Sequence, residues 1–263
     1  MSDDILFSVH DGVGVLTLNR PAQRNALTLS MYEHLREICE RAAQEKNLRA
    51  LIVTGAGEKA FAAGTDIAEF RDMRTAADAH AYETRIERVL TALETLPCPT
   101  IAAVAGACTG GGGVIAACCD LRLADASLQF GFPIARTLGN CLSIANYARL
   151  AALVGPARVT DLVFTARLVR ADEAKDWGLV NEVLPDHGAL MARARALAET
   201  MAGYAPLTLR ATKESLRRLR IAQTQAAEAL GGADLVGMAY ASADFAEGRS
   251  AFLEKRAPRW RGV

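Results

Sequence analysis

The chain has 263 residues, 51% of them apolar and 23% charged. That length holds one sizeable core, and that composition excludes a disordered segment of this size. Thirty basic residues balance thirty acidic ones, so there is no overall field to draw in nucleic acid or an anionic membrane surface, and neither partner is expected.

Met1-Ser2-Asp3-Asp4 has no cationic start and no apolar signal core, so the chain reads as cytoplasmic. Val13 to Leu18 reads as a strand. Ser30 and Glu33 have capping-box spacing, and Met31, Leu35, Ile38 and Ala42 then mark one face of a helix. Ala50 to Thr54 is a β-branched strand that leads to the corner Ala63-Gly64-Thr65-Asp66. Ile86, Val89, Leu90, Leu93 and Leu96 give an amphipathic helix that Pro97-Cys98-Pro99 stops. Thr100 to Val104 is a second buried strand. It leads to Gly110-Gly111-Gly112-Gly113 and a buried helix ending near Cys119. The uncharged stretch from Ile101 to Cys119 is too broken by glycine to span a membrane. Leu121 to Leu123 and Leu128 to Phe130 read as short strands.

From about Ser143 the pattern is mainly helical. Gly155-Pro156 starts a helix with proline at its first position. Gly178 to Val183 reads as the last strand, and Leu190, Ala194, Leu197 and Met201 mark another helix. Two more are expected over 206–220 and 222–240. The division expected is a 1–200 α/β core followed by a 201–263 helical region. Arg210, Lys213, Arg217, Arg218 and Arg220 read as the solvated face of the first of those two helices.

Several chemistries have no carrier here. The six cysteines and four histidines show no C-x-x-C pair and no cluster with ligand spacing, so no metal is expected. Adjacent Cys118 and Cys119 are poorly placed to bridge, and the thiols read as small buried hydrophobes of a reducing compartment. There is no G-x-S-x-G elbow, no H-E-x-x-H and no phosphate loop. Gly55-Ala56-Gly57 follows a strand, but Ala60 stands where a dinucleotide fingerprint needs its third glycine.

The two glycine corners carry more. Each follows a strand and opens a helical segment, so each leaves backbone N–H groups uncovered. Facing one another, they offer two donors to one oxygen, the arrangement that holds the oxyanion of a thioester enolate. Taken singly, each corner is also an ordinary tight turn.

The surrounding motifs, in order, resemble the crotonase superfamily, the enoyl-CoA hydratase/isomerase type. They are Leu18-Asn19-Arg20-Pro21 with Arg24-Asn25-Ala26-Leu27, then Phe61 to Ile67, Pro99 to Gly106, the glycine run and Cys119-Asp120. Ala171-Asp172-Glu173-Ala174, Gly178-Leu179-Val180 and Phe252 to Arg256 complete the series. The resemblance implies an α/β spiral of β-β-α units with a helical C-terminal trimerisation region, giving a homotrimer or a hexamer. It implies an acyl-CoA substrate, with coenzyme A present only as part of that substrate and no further cofactor. It gives the N–H groups of Thr65 and Gly111 the role of oxyanion hole. It puts Arg24, Asn25, Ala26, Ala63, Asp66, Ile67, Phe252 and Lys255 against coenzyme A. Asp66 also reads as a helix-start cap, and Lys255 as a solvated tail residue.

The departures bear on function. The two glutamates that hold water in the hydratases are matched here by Val114 and Ile134, which transfer no proton. Arg136, Asn140 and Tyr147 remain as a possible polar pocket. Arg136 reads either as a partner for a substrate carboxylate or as a surface ion pair, and Tyr147 as packing. Three functions stay open. They are lyase or isomerase chemistry without the usual glutamates, decarboxylation of a malonyl-type acyl-CoA, and acyl-CoA binding without turnover. Leu209, Leu216, Leu219, Leu230, Leu235 and Met238 recur at helical spacing and are expected to cover a neighbouring subunit.

Overall fold

Strand residues of alternating parity bury on opposite faces of one sheet, and this organises the molecule. Leu16, Leu18, Leu51, Val53, Ala102 and Val104 enter one core. Val13, Ala50, Ile52, Ile101, Ala103 and Leu123 enter another. A parallel sheet covered on both faces needs continuous apolar strands, which is what 50–54 and 100–104 supply.

The computed structural model describes residues 4–228 and 231–263. Its strands are β1 (Ile5–His10), β2 (Val13–Leu18), β3 (Ala50–Gly55), β4 (Ala60–Ala62), β5 (Thr100–Val104), β6 (Ala107–Thr109), β7 (Leu121–Asp125), β8 (Gln129–Gly131), β9 (Val169–Arg170) and β10 (Glu182–Leu184). Its helices are α1 (Leu29–Ala42), α2 (Ala76–Glu94), α3 (Gly111–Cys118), α4 (Ile134–Thr137), α5 (Ile144–Val154), α6 (Pro156–Phe164), α7 (Ala171–Asp176), α8 (His187–Ala202), α9 (Pro206–Glu228), α10 (Ala233–Tyr240) and α11 (Ala243–Leu253). Short 3₁₀ turns cover Pro21–Gln23 and Ile67–Phe70.

Among the described residues the larger sheet runs β1-β2-β3-β5-β7-β10 and the smaller β4-β6-β8-β9. The β1–β2 hairpin is antiparallel and the rest of the larger sheet is parallel. In the smaller sheet β4, β6 and β8 run parallel and β9 joins antiparallel. Each pair β3–β4, β5–β6 and β7–β8 gives a long strand to one sheet and a short strand to the other, and successive turns stack in register. The larger sheet is covered by α1, α2 and α3 on one face and by α8 on the other, through Leu190, Ala194, Ala198 and Met201. A third cluster of Phe70, Met73, Ala79, Leu138, Val236, Tyr240 and Phe245 folds α10 and α11 back over α2 and the 67–70 turn.

Several expectations change. The cap of α1 is Thr28, whose hydroxyl accepts from Met31 N at 3.1 Å, so Ser30 is already helical. Glu33 turns instead to Arg36. β1, β4, β6 and β9 add strands to those expected. The strand expected over 178–183 is confined to Glu182–Leu184, and 178–180 is turn and bend. The helix from Pro206 runs through to Glu228 without a break near 221, and α11 is an additional helix. The basic face of α9 is only partly solvated. Lys213 donates to Cys98 O (3.1 Å) and Asp120 Oδ2 (2.8 Å), and Arg220 pairs with Glu94 at 2.7 Å, so both dock α9 on the body. Leu230 lies outside the described residues.

Candidate active site

The carboxyl ends of β4, β6 and β8 are neighbours because those strands are parallel and adjacent. Open parallel sheets characteristically bind ligands at such ends. Thr65 follows β4, Gly111 follows β6 and Ile134 follows β8. Gly110 N donates to Gly131 O at 3.2 Å, tying two of these ends together.

The corners face each other. Gly64 has φ of +104° and Gly110 +51°, a region closed to most side chains. A Cβ at Gly110 would sit 3.5 Å from Gly64 Cα. On either side of Thr65 the backbone is committed: Leu27 N donates to Gly64 O (2.8 Å) and Asp66 N to Leu27 O (2.8 Å). Among the described residues Thr65 N has no acceptor. Gly111, as the first residue of α3, has no intrahelical acceptor for its own N–H.

Two phenols crowd this place. Tyr32 of α1 and Tyr82 of α2 both hydrogen-bond Thr65 Oγ1, at 2.9 and 2.8 Å. A side chain at Gly111 would collide with the Tyr32 hydroxyl. Burial pushes both phenols well above the ordinary tyrosine range, so both remain protonated.

A polar chain lies beside them. Asn140 Nδ2 donates to the Tyr240 hydroxyl at 3.0 Å, and that hydroxyl donates to Glu83 Oε1 at 3.0 Å. The Tyr82 and Tyr240 rings are 6.3 Å apart between centroids. Burial raises the Glu83 carboxyl to about 7 against the lowering effect of hydrogen bonds from Tyr240 and Ser143, and nearby Glu87 adds to the rise. Asn140 Oδ1 is buried with no partner among the described residues. A surface groove of about 950 Å³ runs along α1, α2 and α5, and its wall includes Glu33, Arg36, Glu83, Glu87 and Ser143.

Val114 and Ile134 are 3% and 8% exposed and belong to the main apolar core. Tyr147 packs against that core, in keeping with its reading as packing. Arg136 is exposed on α4, and among the described residues it makes no ion pair, so the expected surface pair is absent.

Asn25 is fully buried, with φ of +55°. Its side chain accepts from Arg20 N (3.0 Å) and donates to Ala56 O (3.1 Å) and Ala60 O (2.7 Å), so no side-chain atom is left for a ligand. The side chain therefore builds the turn that presents Arg24 and Ala26. Arg24 is exposed, and Ala26, Ala63 and Ile67 are half-buried beside it and the corner. Asp66 caps the 67–70 turn through Ala68 N (3.1 Å) and pairs with Arg20 (3.1 Å). Phe252 and Lys255 are exposed at the end of α11.

Tyr32, Tyr82, Glu83 and Tyr240 escape a reading of sequence alone. Their signal is slight: Tyr82 and Glu83 precede Ile86 by one helical turn and extend the face it begins.

Two stacked sheets built from repeated β-β-α turns, with helices wrapped outside, define a crotonase-like α/β protein. Solved structures share this architecture. An enoyl-CoA hydratase from Mycobacterium avium subsp. paratuberculosis superposes with a TM-score of 0.85 at 26% identity, covering 98% of both chains. An enoyl-CoA hydratase/carnithine racemase from Magnetospirillum magneticum gives 0.80 at 34% identity, covering 100% of this chain and 97% of that one. The short-chain-enoyl-CoA hydratase of Clostridium acetobutylicum is 33% identical over 97% of this chain and 96% of its own length. The enoyl-CoA hydratase/isomerase family matches residues 8–263, and the chain belongs to that family.

Proposed function

We propose that this chain binds an acyl-CoA thioester and stabilises its enolate between Thr65 N–H and Gly111 N–H, without the hydration for which its relatives are named. The observation that carries the reading is the pair of facing corners, each with an N–H free of acceptors among the described residues, together with apolar Val114 and Ile134 where the resemblance expects glutamates. Two fixed donors suit an oxygen that gains charge during reaction. Valine and isoleucine at those two positions offer no carboxylate to hold the added water. Lyase or isomerase chemistry then needs only a proton carrier elsewhere. In this reading Arg24, Ala26, Ala63, Ile67, Phe252 and Lys255 border the coenzyme A moiety, and no other cofactor takes part. Six unpaired thiols are in keeping with a cytoplasmic location. Decarboxylation is the weaker alternative, because Arg136 is exposed and not set among the corner residues.

Mass-spectrometric turnover with crotonyl-CoA, 3-enoyl-CoAs and methylmalonyl-CoA tests this. Crotonyl-CoA hydration is expected near background, whereas enzyme turnover of about 1–10³ s⁻¹ would overturn the reading. Removing one oxyanion donor costs about 10²–10³ in rate. Gly111→Pro does so, and is best made in a Tyr32→Phe background because the added ring would strike that hydroxyl.

A further inference from the structure

Building on the enolate reading, we propose that Glu83 is the group that carries the substrate proton in this chain, with Tyr240 and Asn140 as its positioning residues.

Place is the first argument. Glu83 follows Tyr82 on α2, and the Tyr82 hydroxyl touches Thr65 at the corner. Tyr240, which holds Glu83, stacks its ring near that of Tyr82. A chain of contacts therefore runs from the Glu83 carboxyl through Tyr240 and Tyr82 to the Thr65 side chain at the corner.

Pairing is the second. Glu87 and Glu94, on the same helix, both pair with Arg149, and Glu94 pairs with Arg220 as well. Among the described residues Glu83 has no cationic partner, only hydroxyls. A half-buried carboxylate left without a cation is costly, and such groups concentrate at functional sites. The neighbouring Asn140 Oδ1 is likewise buried and unpartnered, as befits a site open to a donor from outside the chain.

Chemistry is the third. Val114 and Ile134 hold no proton, and the buried phenols Tyr32, Tyr82 and Tyr240 are too weakly acidic to exchange one near neutrality. Glu83, at about 7, exists in both forms there, the condition under which one group is both base and acid. Titratable or polar groups facing it are Tyr240 and Ser143, Glu87 on its own helix, and Tyr32, Tyr82, Cys141 and Tyr147. The step balances without a further reactant. The carboxylate removes a proton from C2 of the thioester, and the C–H pair becomes the enolate double bond. The carbonyl pair moves to the oxygen held by Thr65 and Gly111. The protonated carboxyl then returns the proton to C2, giving exchange, or to C4 of a 3-enoyl substrate, giving isomerisation. The groove that reaches Glu83 lets the carboxyl re-equilibrate with solvent.

The test is deuterium incorporation at C2 from D₂O, followed by mass spectrometry over short-, medium- and long-chain saturated acyl-CoAs. Binding is measured in parallel by calorimetry and folding by circular dichroism. Wild type is expected to exchange, at a rate that rises with pH through about 7. Glu83→Gln should lower it by about 10²–10⁴ with binding little changed. Tyr240→Phe removes a hydrogen bond that favours the carboxylate, so it should move the pH midpoint upward. Undiminished exchange by folded Glu83→Gln, with loss in Tyr32→Phe/Gly111→Pro relative to Tyr32→Phe, overturns the Glu83 assignment and leaves the hole intact. No exchange by wild type, or exchange indifferent to the proline, overturns the enolate reading and the Glu83 assignment with it.

Discussion

Residue 83 sets stability as well as chemistry. A carboxyl that ionises only near 7 in the fold, against 4.5 in an unrestrained chain, favours the folded state while both forms are protonated. As pH rises the unfolded chain ionises first and gains free energy that the folded chain does not. The stabilisation is therefore full below about 4.5 and is lost between 4.5 and 7. A shift of this kind is on the order of 2 kcal/mol once partial solvent access is allowed for. Glu83→Gln should accordingly raise the urea midpoint at pH values above the Glu83 transition and leave it nearly unchanged below. An equal effect at both ends would mean that the carboxyl is not destabilised by burial. Other single residues are legible in sequence only by type. Asn25 is visible as a turn former, but that its side chain fills three internal hydrogen bonds depends on Ala56 and Ala60, more than thirty positions away.

At the scale of elements, one ion-pair cluster around a buried guanidinium joins three helices. Arg149 of α5 has a side chain only 3% exposed and pairs with Glu87 (2.5 Å) and Glu94 (2.9 Å) of α2, while Arg220 of α9 reaches Glu94 from the other side. Truncating one partner of a buried ion pair typically costs 3–5 kcal/mol, because the remaining charges stay behind. Arg149→Ala should thus lower stability by about 3–5 kcal/mol in denaturant unfolding. Arg36→Ala, which breaks i,i+3 and i,i+4 pairs on the surface of α1, should cost far less, because solvent screens such pairs. Equal losses would show that the Arg149 cluster is not buried in solution. The elements themselves were legible where burial leaves a long periodic trace, as in β3, β5 and the apolar faces of α2 and α8. Those missed leave none. Ala60-Phe61-Ala62 and Ala107-Cys108-Thr109 are strands because neighbouring strands hold them. α11 seats Gly248 against the Leu138 backbone, a contact of small residues that no hydrophobic spacing announces. The site was half legible for the same reason. The glycines mark their corners locally, whereas Tyr32, Tyr82, Glu83 and Tyr240 converge only once α1, α2 and α10 have packed.

At the scale of the whole molecule, α10 and α11 are held on their own chain. Arg249 of α11 donates to Phe70 O and to Met73 O (2.8 Å), and Phe245 and Tyr240 complete the cluster over α2. The tail thus folds back on its own core, the arrangement that an extra subunit would otherwise have to provide. That contact does not use up the apolar surface. Leu209 packs against the core between the larger sheet and α8, but Leu207, Leu216 and Leu219 of α9 remain 75%, 63% and 65% exposed, and Leu235 and Met238 of α10 55% and 69%. Phe252 and Leu253 at the end of α11 are also more than half exposed. Bare leucines grouped along two helices are an interaction surface, and closed symmetric assembly of identical chains is the usual way to cover one. We expect the trimer or paired trimers implied by the family resemblance, with α9 and α10 at the contacts. Light scattering at micromolar concentration should return about three or six times the 28.0 kDa of one chain. Leu216→Glu with Leu219→Glu should lower that mass and make the melting temperature depend on protein concentration, since assembly stabilises by mass action. A wild-type mass near 28 kDa would refute the assembly and leave the back-folded tail as the whole role of the C-terminal helices.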